Sequence, residues 1–346
     1  MEGKYEETDQ IKRGFAALLA LTLALGMSVS AFAAEGPAAT EPAVAEKDYR
    51  LTNDKTTSPE ETFQFTVTKV GVTDATDEHG NKLTEADMPN LTITPVSYKE
   101  GGAGSADSKQ KLVVTPDKNF PNVGIYTYKV TENAGNTAGV TYSKQELTLI
   151  ATVYHEGYEK DMTVSYVFKD NKTKNPDIVN SYSAGTLSVG KTVTGSLGNK
   201  TQKFNINVTF AAPTGKTVKS TITLSDGTQI LPSEWKDNGT TTTVTKTIQL
   251  ADNQTMEFKN VPYDVVYHVK EDKYEGYTTT YSNTVEGQDH VEGIINSKDP
   301  VVHVNNHKDG TVDTGVILHS APYVLLLVGV GAAAVAFLIL KKHREV

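Results

Sequence analysis

Tyr128-Lys129-Val130-Thr131-Glu132 recurs later in the chain as Tyr267-His268-Val269-Lys270-Glu271. In both copies apolar side chains fall on alternate residues, the period of a half-buried β-strand. Working outward, the flanking segments repeat as well. Phe63-x-Phe65-x-Val67 ahead of the first copy matches Phe204-x-Ile206-x-Val208 ahead of the second. Each glutamate is soon followed by a glycine-led strand start: Gly139-Val140-Thr141-Tyr142-Ser143 in one half, Gly276-Tyr277 and then Tyr281-Ser282 in the other. Each half opens with a lysine close to an apolar residue, Lys47-Asp48-Tyr49 and Lys191-Thr192-Val193. Each closes with an apolar strand running into asparagine, Ile178-Val179-Asn180 and Val302-His303-Val304-Asn305. A long-period repeat of this kind means tandem copies of one structural unit.

Between Lys47 and Val316 no ten-residue stretch carries a helical period. Short alternating runs such as Leu91-Thr92-Ile93-Thr94 and Leu147 to Tyr154 are bounded by Gly, Asn, Asp and Pro. The composition is rich in Thr, Val and Tyr, which suits strands. The expected fold is all-β, two tandem immunoglobulin-like β-sandwich domains over residues 47–182 and 183–310, with the boundary near Tyr182 to Gly185.

Both ends of the chain read as addresses. Lys4, Lys12 and Arg13 precede an apolar stretch from Phe15 to about Val29, and Ala31-Phe32-Ala33 is a small-x-small cleavage site. Residues 1–33 therefore read as a secretory signal peptide, and 34–46 as a flexible leader rich in Ala, Pro and Glu. At the other end Thr311-Val312-Asp313-Thr314-Gly315 comes before an apolar run from about Ala321 to Leu340. Lys341-Lys342-His343-Arg344 then follows. The run is long enough to span a bilayer, with its basic tail on the cytoplasmic side. The mature part, roughly 280 residues, is large enough for two domains. A net charge of −9 argues against nucleic acid as a partner. An exported chain with no cysteine has no disulfide staples, so any covalent reinforcement must come from other residues.

Each half supplies one lysine near its first strand, one glutamate in a middle strand and one asparagine at its last strand. First and last strands of a sandwich are often neighbours. If the three side chains meet in a dry core, burial drives the lysine toward the neutral, nucleophilic amine and the glutamate toward the protonated acid. The acid can then hydrogen-bond the carboxamide, polarise its carbonyl and pass the proton to departing ammonia. Contact geometry supplies the effective concentration that so poor an electrophile needs. The product would be a side-chain amide.

These motifs resemble the isopeptide-forming domains of Gram-positive sortase-assembled backbone pilins, such as those of streptococci, over nearly the whole mature chain. The resemblance implies crosslinks Lys47–Asn180 and Lys191–Asn305, with Glu132 and Glu271 as the catalytic acids. Asn306 stands beside Asn305 as an alternative acceptor, and Lys55 as a rival to Lys47. The C-terminal order is similar to the cell-wall sorting signal of Gram-positive surface proteins, here over residues 311–346. A sortase would cut between Thr314 and Gly315, although the Leu-Pro of the usual form is absent ahead of them. The acyl end would pass to a lysine on the next subunit. Lys174, followed by Lys172, best matches the family's linking lysine in Lys169-Asp170-Asn171-Lys172-Thr173-Lys174-Asn175-Pro176.

The implied protein is a pilus shaft subunit on the cell wall. Its partners would be a pilin-class sortase, a housekeeping sortase, identical subunits, peptidoglycan and minor pilins. A wall-anchored, unpolymerised adhesin is the competing reading. The eight histidines show no metal spacing, and no phosphate loop or serine nucleophile motif is present, so no cofactor and no external substrate are expected.

Overall fold

The computed structural model describes residues 29–31, 45–155, 161–282 and 288–310. The expected sorting motif and membrane span, most of the leader and all of the expected signal peptide except Val29–Ala31 lie outside these residues. Those three form a short strand antiparallel to Met162–Lys169. Among the described residues no helix is long and apolar enough to cross a membrane.

The described chain is all-β, with only two short 3-10 turns, at Glu85–Asp87 and Pro232–Glu234. In the first half, one sheet runs Met162–Lys169, Glu146–His155, Gly124–Glu132, Phe65–Thr73 in spatial order, each pair antiparallel. Alternation sets its buried face: Leu147, Leu149, Ala151 and Val153 point inward from one strand, Tyr126, Tyr128 and Val130 from the next. The opposing sheet holds Val140–Thr141, Ile178–Tyr182, Glu46–Leu51 and Lys109–Lys111. The first strand thus begins at Glu46, one residue ahead of the expected start of the domain. Tyr49, Phe63 and Tyr98 meet edge-to-face between the layers, with centroids 5.2, 5.3 and 5.8 Å apart. Each such pair is worth about 0.5–1.5 kcal/mol beyond the area it buries.

The second half repeats the plan. Phe204–Ala211 lies between Thr242–Leu250 and Val266–Glu271, and Val291–Ile294 follows on the far side of the latter. The facing sheet places Ala184–Thr194 between Thr255–Pro262 and Val301–His307.

In each half the first and last strands are hydrogen-bonded neighbours and run parallel. Glu46–Leu51 pairs with Ile178–Tyr182, and Ala184–Thr194 pairs with Val301–His307. The registers correspond: Lys47 lies opposite Ile178, and Lys191 opposite Val304. Since side chains alternate, the residue two beyond that partner shares the lysine's face. That residue is Asn180 in one half and Asn306 in the other.

The two halves are joined by more than the peptide between Tyr182 and Ala184. Ala138 N–H donates to Thr217 O at 2.8 Å, Thr217 N–H donates to Asn136 O at 2.9 Å, and Ala138 packs into the second domain's core. Asn260, at a left-handed φ of 64°, pairs its carboxamide with the backbone of Thr57. Its Oδ1 accepts from Thr57 N–H at 3.1 Å, while Nδ2 donates to Thr57 O and Thr221 O at 3.0 Å each. Buried Glu61 of the first domain accepts from Thr137 Oγ1 and lies 3.3 Å from Lys219 Nζ of the second.

Asn260→Ala removes three hydrogen bonds and leaves a residue at positive φ that alanine resists. It should cost about 2–4 kcal/mol of stability. Denaturant unfolding monitored in both domains checks this, and loss of less than about 0.5 kcal/mol would contradict the joint described here.

Candidate site: a lysine, a glutamate and an asparagine in each core

In the first domain Lys47 is fully buried, an uncommon place for a lysine. Its Nζ donates to Ile178 O at 2.9 Å, lies 3.4 Å from Glu132 Oε2 and sits 4.3 Å from the centroid of the Phe63 ring. Glu132, at the end of its strand, has no exposed side-chain surface. Its Oε1 accepts from Asn180 Nδ2 at 2.5 Å. The other end of that carboxamide is held too, because Ser143 N–H donates to Asn180 Oδ1 at 2.9 Å. A carbonyl held by a fixed N–H is polarised toward nucleophilic attack, and the carboxyl group stands against the nitrogen that would leave.

The second domain repeats the arrangement. Lys191 Nζ is 2.8 Å from Glu271 Oε2 and 4.6 Å from the centroid of Phe204, with both side chains sealed from solvent. Glu271 Oε1 accepts from Asn306 Nδ2 at 2.6 Å and from Thr279 Oγ1 at 3.3 Å, and Glu271 N–H donates to the Tyr281 hydroxyl at 2.9 Å. Among the described residues Asn306 Oδ1 finds no hydrogen-bond partner, so no counterpart of the Ser143 amide is described in this half.

Of the two adjacent asparagines that the sequence leaves open, the structure brings Asn306 and not Asn305 against Glu271. The strand Val301–His307 buries Val302, Val304 and Asn306 in phase, which turns Asn305 to the other face. There it is half-buried, and its Oδ1 accepts from Thr194 Oγ1 at 3.4 Å. Lys55 is exposed in a turn and does not reach the first core. Lys172 and Lys174 are both exposed. They lie in a tight turn whose backbone N–H groups at 172 and 173 donate to Asp170 Oδ1, and Lys174 bridges back to Lys169. Thr314 and Gly315 lie outside the described residues.

Burial dominates the electrostatics. It lowers Lys47 from its ordinary 10.5 to about 8, against the opposing pull of Glu132. It raises Glu132 despite Lys47 and the Asn180 hydrogen bond, and it lowers Lys191 despite Glu271. In the first domain both partners thus move toward their neutral forms. A neutral Nζ can attack the asparagine Cγ. In such an attack the C–N bond would form as the Cγ–Nδ2 bond breaks, and the glutamate is placed to carry a proton from the attacking amine to the leaving ammonia.

Three participants were not singled out as site residues from sequence. Phe63 and Phe204 floor the lysine pockets; both open the repeated Phe-x-apolar segments, so their signal was present. The Ser143 amide is a backbone group and leaves no side-chain signature.

The chain is similar to known proteins over most of its length. Residues 44–183 match a family described as the Spy0128-like isopeptide containing domain, and residues 185–308 a domain of unknown function (DUF7601). A pilin of Streptococcus pyogenes serotype M1 is 27% identical over 301 residues, spanning 83% of this chain and 87% of its own. The crystal structure of the major pilin from Streptococcus pyogenes shares the fold at a TM-score of 0.50. It is 22% identical and covers 77% of this chain and 98% of that one.

The lysine's displacement from 10.5 to about 8 has a measurable consequence in a chain that cannot react, Asn180→Ala. Below pH 8 the folded state holds a buried ammonium and is penalised by about 3 kcal/mol. Between about pH 8 and 10.5 the unfolded chain binds the proton that the folded one has released, so stability rises with pH. Unfolding free energy of Asn180→Ala, referred to Asn180→Ala/Lys47→Met, should climb by about 3 kcal/mol over that window. A flat or falling difference would contradict the assignment.

Proposed function

We propose, from a chain similar to Gram-positive backbone pilins over most of its length, that this protein is the shaft subunit of a covalent, cell-wall-anchored pilus. In this reading each domain closes itself with one isopeptide bond, Lys47–Asn180 and Lys191–Asn306, under the acids Glu132 and Glu271. A sortase joins Thr314 of one subunit to Lys174 of the next, with Lys172 as the alternative. A housekeeping sortase passes the finished polymer to peptidoglycan, and minor pilins share the fibre. The protein's role is structural, and its only chemistry is single-turnover and internal.

The observation that carries this reading is the same buried Lys–Glu–Asn cluster, in the same parallel register, at the seam between first and last strands of both domains. A seam is where a sandwich opens under load. Tension entering at Lys174 runs along Ile178–Tyr182 and straight on into Ala184–Thr194. It reaches the last strand, Val301–His307, across the parallel pairing that Lys191–Asn306 would lock. With that bond in place the path is covalent throughout, and most of both domains lies off it. A domain-wide crosslink also restricts the unfolded chain much as a disulfide does, for about 2–5 kcal/mol.

The test is to export the full chain from a Gram-positive host carrying its sortase, and to run cell-wall extracts on denaturing gels. A ladder of covalent multimers is expected. It should collapse to a single band in Lys174→Ala and persist in Lys172→Ala. A single band from the unaltered chain would instead identify a lone wall-anchored surface protein.

A further inference from the structure

The last strand does not simply release the chain at His307. Lys308 N–H donates to Thr194 O at 3.1 Å, and Lys308 O accepts from Leu197 N–H at 2.9 Å. Asp309 Oδ1 accepts from Ser196 N–H at 2.9 Å, and Gly310 N–H donates to Ser196 Oγ at 3.0 Å. His307 joins the two sides: its Nδ1 lies 3.0 Å from Thr194 Oγ1 and its Nε2 3.0 Å from Asp309 Oδ2. With Nε2–H donating to the carboxylate, Nδ1 accepts from the threonine hydroxyl. The Lys308 side chain is folded back, its Nζ donating to Glu275 O at 3.3 Å and lying 5.0 Å from the Tyr277 ring centroid.

Two glycines make room for this segment. A Cβ on Gly195 would come within 2.4 Å of Lys308 O, and one on Gly276 within 2.9 Å of Lys308 Nζ. Both glycines also adopt φ values, 91° and 75°, that other residues resist. Backbone, side chains and glycine placement at this end of the second domain all act on the same three residues, Lys308 to Gly310.

We infer that this network is an exit clamp that fixes the chain through Gly310 and so sets the length of the tether to the sorting motif. The inference rests on the pilin reading above. Four residues, 311–314, then separate the clamp from the scissile Thr314–Gly315 bond, a reach of about 14 Å. Released at His307 the tether would have seven residues and reach about 25 Å. With the clamp closed, the mouth of a sortase cleft must come up against the end of the second domain, beside Leu197 and Tyr277. After transfer the same four residues couple one subunit to the next. A joint so short restricts their relative orientation, whereas seven free residues would leave them swivelling.

Asp309→Ala removes the acceptor for both Ser196 and His307, while Asp309→Asn keeps one acceptor oxygen. Hydrogen exchange on the full chain in detergent micelles should show the Ser196 and Gly310 amides protected. In Asp309→Ala that protection should fall on the order of ten-fold, with partial rescue in Asp309→Asn and no change at Val193 or Val304. In micrographs, pili of Asp309→Ala should bend more, with persistence length down about two-fold. Unprotected amides at Ser196 and Gly310 in the unaltered chain, or Asp309→Ala pili as stiff as the parent's, would overturn the clamp. Absence of any pili from the unaltered chain would instead overturn the pilin reading, leaving the exchange result to decide the clamp.

Discussion

Everything in this molecule turns on the parallel pairing of the first and last strands in each domain. That pairing brings together residues 131 positions apart, Lys47 and Ile178, and it fixes which asparagine shares the lysine's face. Without it a lysine, a glutamate and an asparagine would be three unremarked polar residues. With it they form a sealed cluster in a place where polar groups are costly. A buried ammonium–carboxylate pair is poor evidence of stability, because desolvation rivals the attraction between the charges. Conversion to an amide, as proposed, would remove the burden: no lysine charge would remain to be buried, and the glutamate would stay as a hydrogen-bonded acid. The aromatic floor, Phe63 or Phe204, keeps water away from the amine in both copies.

The joint between domains follows the same economy of fixed backbone contacts. Asn260 grips Thr57 on both its N–H and its C=O, Thr137 lies in register with Thr217, and Glu61 reaches Lys219. These contacts hold the two sandwiches against each other on either side of the short Tyr182 to Ala184 connection. At the far end, hydrogen bonds from Lys308 to Gly310 hold the chain against Thr194 to Leu197 where it leaves the last strand.

Much of this was legible in the sequence. Period-two alternation in Tyr128 to Glu132 and Leu147 to Tyr154 fixed the strands, and the repeat of Lys, Glu and Asn in order marked the two clusters. Asn305 was put ahead of its neighbour Asn306 although the strand's phase favours the latter: counting in twos from Val302 through Val304 arrives at 306. Adjacent asparagines look alike until the strand's phase is used. The Ser143 amide was not legible, since its role depends on how a loop returns to the Asn180 strand. The exit clamp was hidden for a related reason. Thr194 and Ser196 each lie 113 residues from their partners, His307 and Asp309, and meet them only through the register of Ala184–Thr194 with Val301–His307.

The most direct measurement is the intact mass of the exported, signal-free chain, followed by peptide mapping. The account predicts a mass two ammonias below that of the linear sequence, with Lys47 joined to Asn180 and Lys191 joined to Asn306. An unshifted mass, or a second crosslink ending on Asn305, would contradict it.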